Sequence, residues 1–184
     1  MKKSTKIILV VLGLVILYCI FGYNRLVTSN ENVDNQWAQV ETQYQRRFDL
    51  IPNLVESVKG IMKQEQTIFN TLAEARTRYS GAGSNNAKAL AAGEVEGALA
   101  RLLVVMENYP VLKSSDNVQT LMAQLEGTEN RVAVERKRYN DEVRSHNLNV
   151  IRFPMNMLAR TFGYGERNYF ESAEEASQSP EVKI

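Results

Sequence analysis

The sequence predicts an all-α protein: an antiparallel bundle of three to four long helices preceded by one N-terminal transmembrane helix. Three observations carry this. Residues 7–24 hold no charge and are rich in Ile, Leu and Val. From Asn30 onward, apolar residues recur at steps of three and four, the spacing of one helix face. Prolines occur only at 52, 110, 154 and 180, which leaves long stretches free to stay helical.

The first element is the anchor. Residues 1–6 form a basic flank with Lys2, Lys3 and Lys6. The apolar run 7–24 follows, and at about 1.5 Å per residue it is long enough to cross the hydrocarbon of a bilayer. Lysines favour the cytoplasmic side, so the N-terminus is expected inside and the bundle on the outer side of the membrane. A cleaved signal is disfavoured, because the apolar core is long and no small-x-small site follows it. Cys19 raises a lipoprotein reading, but bulky Tyr18 stands where a small residue is needed. As the one cysteine, Cys19 also excludes an intramolecular disulfide.

The rest of the chain is long enough for one ordinary domain, expected over 25–165. Without the three flanking lysines, the 22 basic residues fall to 19 against 21 acidic ones. That balance gives no nucleic-acid footprint.

The first bundle helix is expected over about 28–79. Its stripe is Val33, Trp37, Val40, Tyr44, Phe48, Ile51, Val55, Val58, Met62, Phe69 and Leu72. The stripe keeps phase through Pro52, which predicts a kink there. The rival reading ends one helix near Phe48 and starts another, capped by Asp49. A turn of Gly, Ser and Asn at 80–86 leads to a second helix over 87–108. Leu90, Leu99, Leu102, Leu103 and Met106 supply its packing face, and Gly93 and Gly97 would permit close approach of a neighbour. Tyr109-Pro110 stops it. The last helix is expected over 115–162, with Ser114, Ser115 and Asp116 as caps. Its stripe is Val118, Leu121, Leu125, Val132, Tyr139, Val143, Val150, Phe153 and Met157, interrupted by Thr128, Glu135 and His146. Buried polar residues can fix helix register at some cost in stability. Glu129, Asn130, Arg136, Tyr139, Asn140 and Asn147 are the candidates. Residues 166–184 read as a loosely ordered tail.

No catalytic, cofactor-binding or metal-ligating residue stands out, so no enzyme activity and no cofactor are expected. His146 is the one histidine and favours a packed role over a catalytic one. Glu142, four residues before it, suggests a surface contact. Glu94 with Glu96, and Asp141 with Glu142, miss the Glu-x-x-His spacing of a di-iron bundle. One arginine of the Arg46-Arg47 pair is expected to meet an acid on a facing helix. Arg136-Lys137-Arg138 reads as a solvated face.

Several strings then carry a resemblance. They are Tyr23-Asn24-Arg25-Leu26-Val27, Asn35-Gln36-Trp37, and Arg47-Phe48-Asp49-Leu50-Ile51-Pro52-Asn53-Leu54-Val55. Further along come Glu107-Asn108-Tyr109-Pro110, Leu121, Leu125, Thr128-Glu129-Asn130, Tyr139-Asn140, Asn147, Phe153-Pro154 and Tyr169-Phe170. Together these resemble the LemA family of bacterial membrane proteins over nearly the whole chain. The ending Pro180-Glu181-Val182-Lys183-Ile184 is similar too, although the family often closes on Phe. The resemblance implies one N-terminal transmembrane helix in the bacterial inner membrane and a bundle of long helices. That bundle is periplasmic by the lysine bias, or cytoplasmic as the family's alternative orientation. The resemblance supplies no reaction.

The leading expectation is a membrane-anchored scaffold or interaction protein, with homo-oligomers or other envelope proteins as partners. The alternative is a ligand-binding or signalling module with a polar pocket near Tyr139 and Asn140.

Overall fold

A computed structural model describes residues 3–170 of the chain. The described residues fold into helices joined by turns, with no strand. They are α1 (Lys3–Lys59), α2 (Gln66–Gly81), α3 (Asn85–Met106), the short α4 (Pro110–Lys113), α5 (Asp116–Ile151) and α6 (Met155–Phe162). The all-α class holds, and α1 is long and apolar enough at its N-terminal end to cross a membrane. Its residues there expose their side chains, from Ile7 at 63 % to Phe21 at 70 %.

Two expected helices are each two in the structure. The helix expected over 28–79 breaks at Gly60, not at Pro52. Pro52 lies inside α1, which runs on to Lys59. Proline there removes one backbone bond, but Ile51 and Leu54 on either side are buried and hold the helix to its neighbours. At Gly60 the backbone costs more to keep helical. There Val58 O accepts from both Ile61 N (3.0 Å) and Met62 N (2.9 Å), closing the helix in a turn. The unbroken phase of the stripe came from Met62, which is buried in that turn. The helix expected over 115–162 breaks at Pro154, which bars Phe153 from helical geometry. The Phe153–Pro154 peptide is cis, and α6 starts after it.

The chain divides into two compact units. Unit 1 comprises Met1–Ala38 and Arg138–Tyr169. In it the ladder of contacts between α1 and α5 is antiparallel: Ser29 meets His146, and Trp37 meets Tyr139. Leu26, Val33, Trp37, Val143 and Ala159 form its apolar interior. After α6, Gly163 takes a left-handed φ of 76° and caps the helix. Residues 164–169 then run as a strap without regular secondary structure.

Unit 2 comprises Gln39–Lys137 and Phe170–Ile184. Its four longer helical segments, from α1, α2, α3 and α5, alternate in direction. Tyr44 and Phe48 of α1 stack near Tyr79, late in α2. Arg78 of α2 pairs with Glu94 of α3 across a short turn capped by Ser84, whose Oγ accepts from Ala87 N. Glu41 and Arg47 of α1 meet Lys88 and Glu96 of α3 in the same order, so those two run parallel. Ser57 and Arg47 meet Asn117 and Glu129 of α5 in reverse order. The interior is aliphatic and aromatic, with Val40, Ile51, Leu54, Leu99, Leu102 and Leu125 buried. Each such side chain contributes about 1.5–3 kcal/mol.

The stripes needed local correction. Leu54 takes the buried place expected for Val55. Leu90, expected in the packing face of α3, is 68 % exposed. Gly93 and Gly97 have nothing within 4 Å of where a Cβ would stand, so neither supports a close approach. Phe153 and Met157, assigned to the α5 stripe, are exposed because the helix has already ended. The loose tail expected from 166 begins in the described part, where Arg167 is tied down on both its backbone and its side chain. Residues 171–184 of that tail, and Met1 and Lys2 of the basic flank, lie outside the described residues.

Candidate functional site

The polar residues of the helix stripes gather into two clusters, one in each unit. In unit 1, α5 presents Tyr139, His146 and Asn147 on one face, two helical turns apart. All three grip the main chain of the strap. His146 is fully buried, with Nε2 3.1 Å from Gly165 O and Nδ1 3.0 Å from Ser29 Oγ. A carbonyl can only accept, so Nε2 carries the proton. Ser29 Oγ, beside Nδ1, also donates its proton to Leu26 O at 3.0 Å. Asn147 makes a reciprocal pair: Arg167 N donates to Oδ1 (2.8 Å), and Nδ2 donates to Arg167 O (2.9 Å). Tyr139 O–H donates to Asn168 O at 3.2 Å. Its ring meets Trp37 edge-on at 5.4 Å. Burial pushes the Tyr139 phenol up, against the opposing pull of the Arg167 cation. Arg167 also closes an ion pair with Asp34.

These groups are therefore occupied by structure. Both ring nitrogens of His146 are engaged, so the surface contact expected with Glu142 is not how His146 is held. A free polar pocket around Tyr139 is not what the stripe builds. The strap itself escaped sequence reasoning, because a segment without regular secondary structure has no periodicity. The signal that could have found it was the adjacent His146-Asn147 on a buried stripe: two groups that bond backbone well and need partners once buried.

In unit 2 the cluster is ionic. Arg47 is only 5 % exposed and bridges Glu96 of α3 (3.4 Å) and Glu129 of α5 (3.3 Å). The expectation that an arginine of that pair meets acids on facing helices is met by Arg47. Glu96 also binds Arg136, whose Nε donates to Tyr44 Oη at 2.8 Å. The Arg136 guanidinium lies 4.5 Å over the Phe170 ring. So Arg136 is not part of a solvated basic face. Two cations and two carboxylates balance. Burial pushes the Tyr44 phenol far up, and the nearby Arg136 cation does not offset it. Tyr79, beside it, is pushed up to about 12 by burial.

An open groove of about 600 Å³ adjoins this network. Leu99, Met106, Leu112, Met122 and Leu125 line it, with Arg47 at its edge. The Nε of Arg47 is buried and has no partner among the described residues. Among those residues no group of three or more His, Cys, Asp or Glu side chains is placed to hold a metal. Arrangements of this kind hold helices in register and offer surfaces; none pairs a nucleophile with a base.

The chain is similar to magnetosome proteins MamQ 2 and MamQ 1 of Paramagnetospirillum magneticum, each 29 % identical over 175 residues. It is also similar to magnetosome protein MamQ of Magnetospirillum gryphiswaldense, 27 % identical over 174 residues. The alignments cover 80–81 % of this chain and 64 % of those relatives, so the chain spans a little under two thirds of their length. The model of the LemA family matches residues 36–184, which takes in the unit 2 cluster and Tyr139, His146, Asn147 and the strap of unit 1, but not Ser29 or Asp34. A membrane-associated helical protein with this stripe, these clusters and this match belongs to the LemA family.

Proposed function

We propose that the protein is a single-pass, membrane-anchored scaffold without catalytic activity, which holds its helical bundle for other copies or other envelope proteins to dock on. The carrying observation is α1: one helix bears both the apolar run at 7–24 and the buried stripe from Leu26 to Val58. No loop interrupts α1 between the apolar run and the stripe. The non-catalytic part draws support from the polar clusters, whose titratable groups are spent on packing. The three lysines favour a bundle on the outer side.

The test is the mass and composition of the full chain extracted in mild detergent. An assembly, of this chain alone or with other proteins, supports the scaffold. A bare monomer overturns it. Sidedness follows from labelling Ser145→Cys with an impermeant maleimide in intact cells: labelling supports an outer bundle, protection reverses it.

The groove favours one second reading, a ligand-binding module, because its volume falls in the range of small-molecule sites. Non-protein mass retained in the native spectrum and lost in Leu103→Trp, which fills the groove, supports that reading. Bare polypeptide overturns it.

A further inference from the structure

We propose that the turn after α5 and helix α6 form a second membrane contact, lying in the head-group layer beside the anchor and taking anionic lipid. The observations all lie in unit 1. Gly22, near the end of the apolar run, is where α6 packs: a Cβ built there would stand 2.5 Å from Leu158 Cδ1 and 3.2 Å from Met155 Sδ. Tyr23, the next residue, has Phe162 at 4.8 Å and Tyr164 at 6.4 Å between ring centroids. The register of the α1–α5 ladder, continued from Ser29–His146, brings Ile151 level with about Asn24, where the apolar run ends.

At that level the chain exposes apolar side chains. Ile151 is 52 %, Phe153 79 %, Met157 63 % and Phe162 50 % exposed. Exposed apolar groups so grouped mark an interaction surface. The patch lies beside the anchor, whose side chains from Ile7 to Phe21 are exposed and whose end, at Gly22 and Tyr23, α6 contacts. Two exposed cations, Arg152 and Arg160, stand among these residues. Aromatic rings with interspersed arginines suit the boundary layer, where rings sit at head-group depth and arginines reach phosphate. A protein partner would have to cover an apolar patch at bilayer height, where lipid is already present. Lipid is therefore the occupant.

The inference rests on the anchor reading, and the experiment separates the two. Single nitroxide labels are placed on the full chain in a Cys19→Ser background, at Leu12→Cys, Phe153→Cys, Met157→Cys and Ser145→Cys. The protein is reconstituted in vesicles of equal parts phosphatidylethanolamine and phosphatidylglycerol. Relative accessibility to oxygen and to a nickel chelate gives the depth of each label. Leu12 should be deepest and Ser145 fully in water. Phe153 and Met157 should lie between, with chelate access severalfold below that of Ser145. If both match Ser145 while Leu12 is deep, the α6 inference falls and the anchor stands. If Leu12 is also in water, the anchor reading itself fails. Spin coupling between labels on two copies, without lipid depth, would reassign the surface to self-association and overturn the proposal. Unchanged helicity of each labelled chain keeps these outcomes interpretable.

Discussion

The two units interrupt their apolar stripes with polar residues in the same way and satisfy them differently. In unit 1 the stripe residues Tyr139, His146 and Asn147 bond the backbone of residues 165–168. In unit 2 the polar groups are charged and bond one another, Arg47 and Arg136 against Glu96 and Glu129. The physics of the two solutions is unequal. A neutral side chain bonded to buried backbone loses little on desolvation and leaves orphans if removed. A partly buried charge network pays heavily for desolvation, so it favours one register more than it adds stability. A stripe position that is polar by composition therefore says nothing of its purpose until its partner is known.

The largest expected effect sharpens the comparison in unit 1. Trp37 is 5 % exposed and packed on Tyr139, so Trp37→Ala should cost about 3–5 kcal/mol in urea unfolding of the full chain. Little change would mean that the Trp37–Tyr139 contact carries no load. Next comes alkaline pH in unit 2. Tyr44 and Tyr79 have folded pKa values raised above their unfolded value, so the folded state keeps protons that the unfolded state releases. Stability is complete below about pH 10 and should fall as pH rises towards 12, by about 3 kcal/mol for a two-unit shift. Tyr79→Phe should remove much of that slope, and an unchanged slope would refute its source.

Smaller changes test the two polar solutions directly. Asn147→Ala leaves the N–H and carbonyl of Arg167 without their partner and should cost about 2 kcal/mol. Faster amide exchange at Arg167 would be its signature. Glu96→Gln should cost about 1–2 kcal/mol, discounted because the carboxylate is partly exposed, and should make stability more salt-dependent. Arg78→Ala breaks an exposed pair with Glu94 and should stay under about 0.5 kcal/mol. An effect there as large as that of Glu96 would erase the distinction between network and surface pair.

Much of the fold was legible because helices repeat. The stripe from Val33 to Val58 stood out at steps of three and four, and the structure buries most of it. What misled was continuity. Met62 and Phe69 kept phase across a turn, since a short turn that returns the chain to the same core preserves apolar spacing. Phe153 and Met157 extended the α5 stripe by spacing alone, although Pro154 stood between them. The polar clusters were half legible: Arg47, Glu129, Arg136, Tyr139 and Asn147 were picked out, but not what each would meet. Partners distant in sequence, such as Gly165 for His146 or Glu96 for Arg47, leave no local trace.

The Asn147–Arg167 pair has a further consequence. A carboxamide that gives one hydrogen bond and takes one from the same residue reproduces what an adjacent strand offers, so an all-helical protein holds a non-helical segment without a sheet. Such a grip ignores the side chain it holds. Across evolution position 167 should drift freely in size and polarity wherever Asp34 drifts with it. Proline is barred there, because it has no N–H to give.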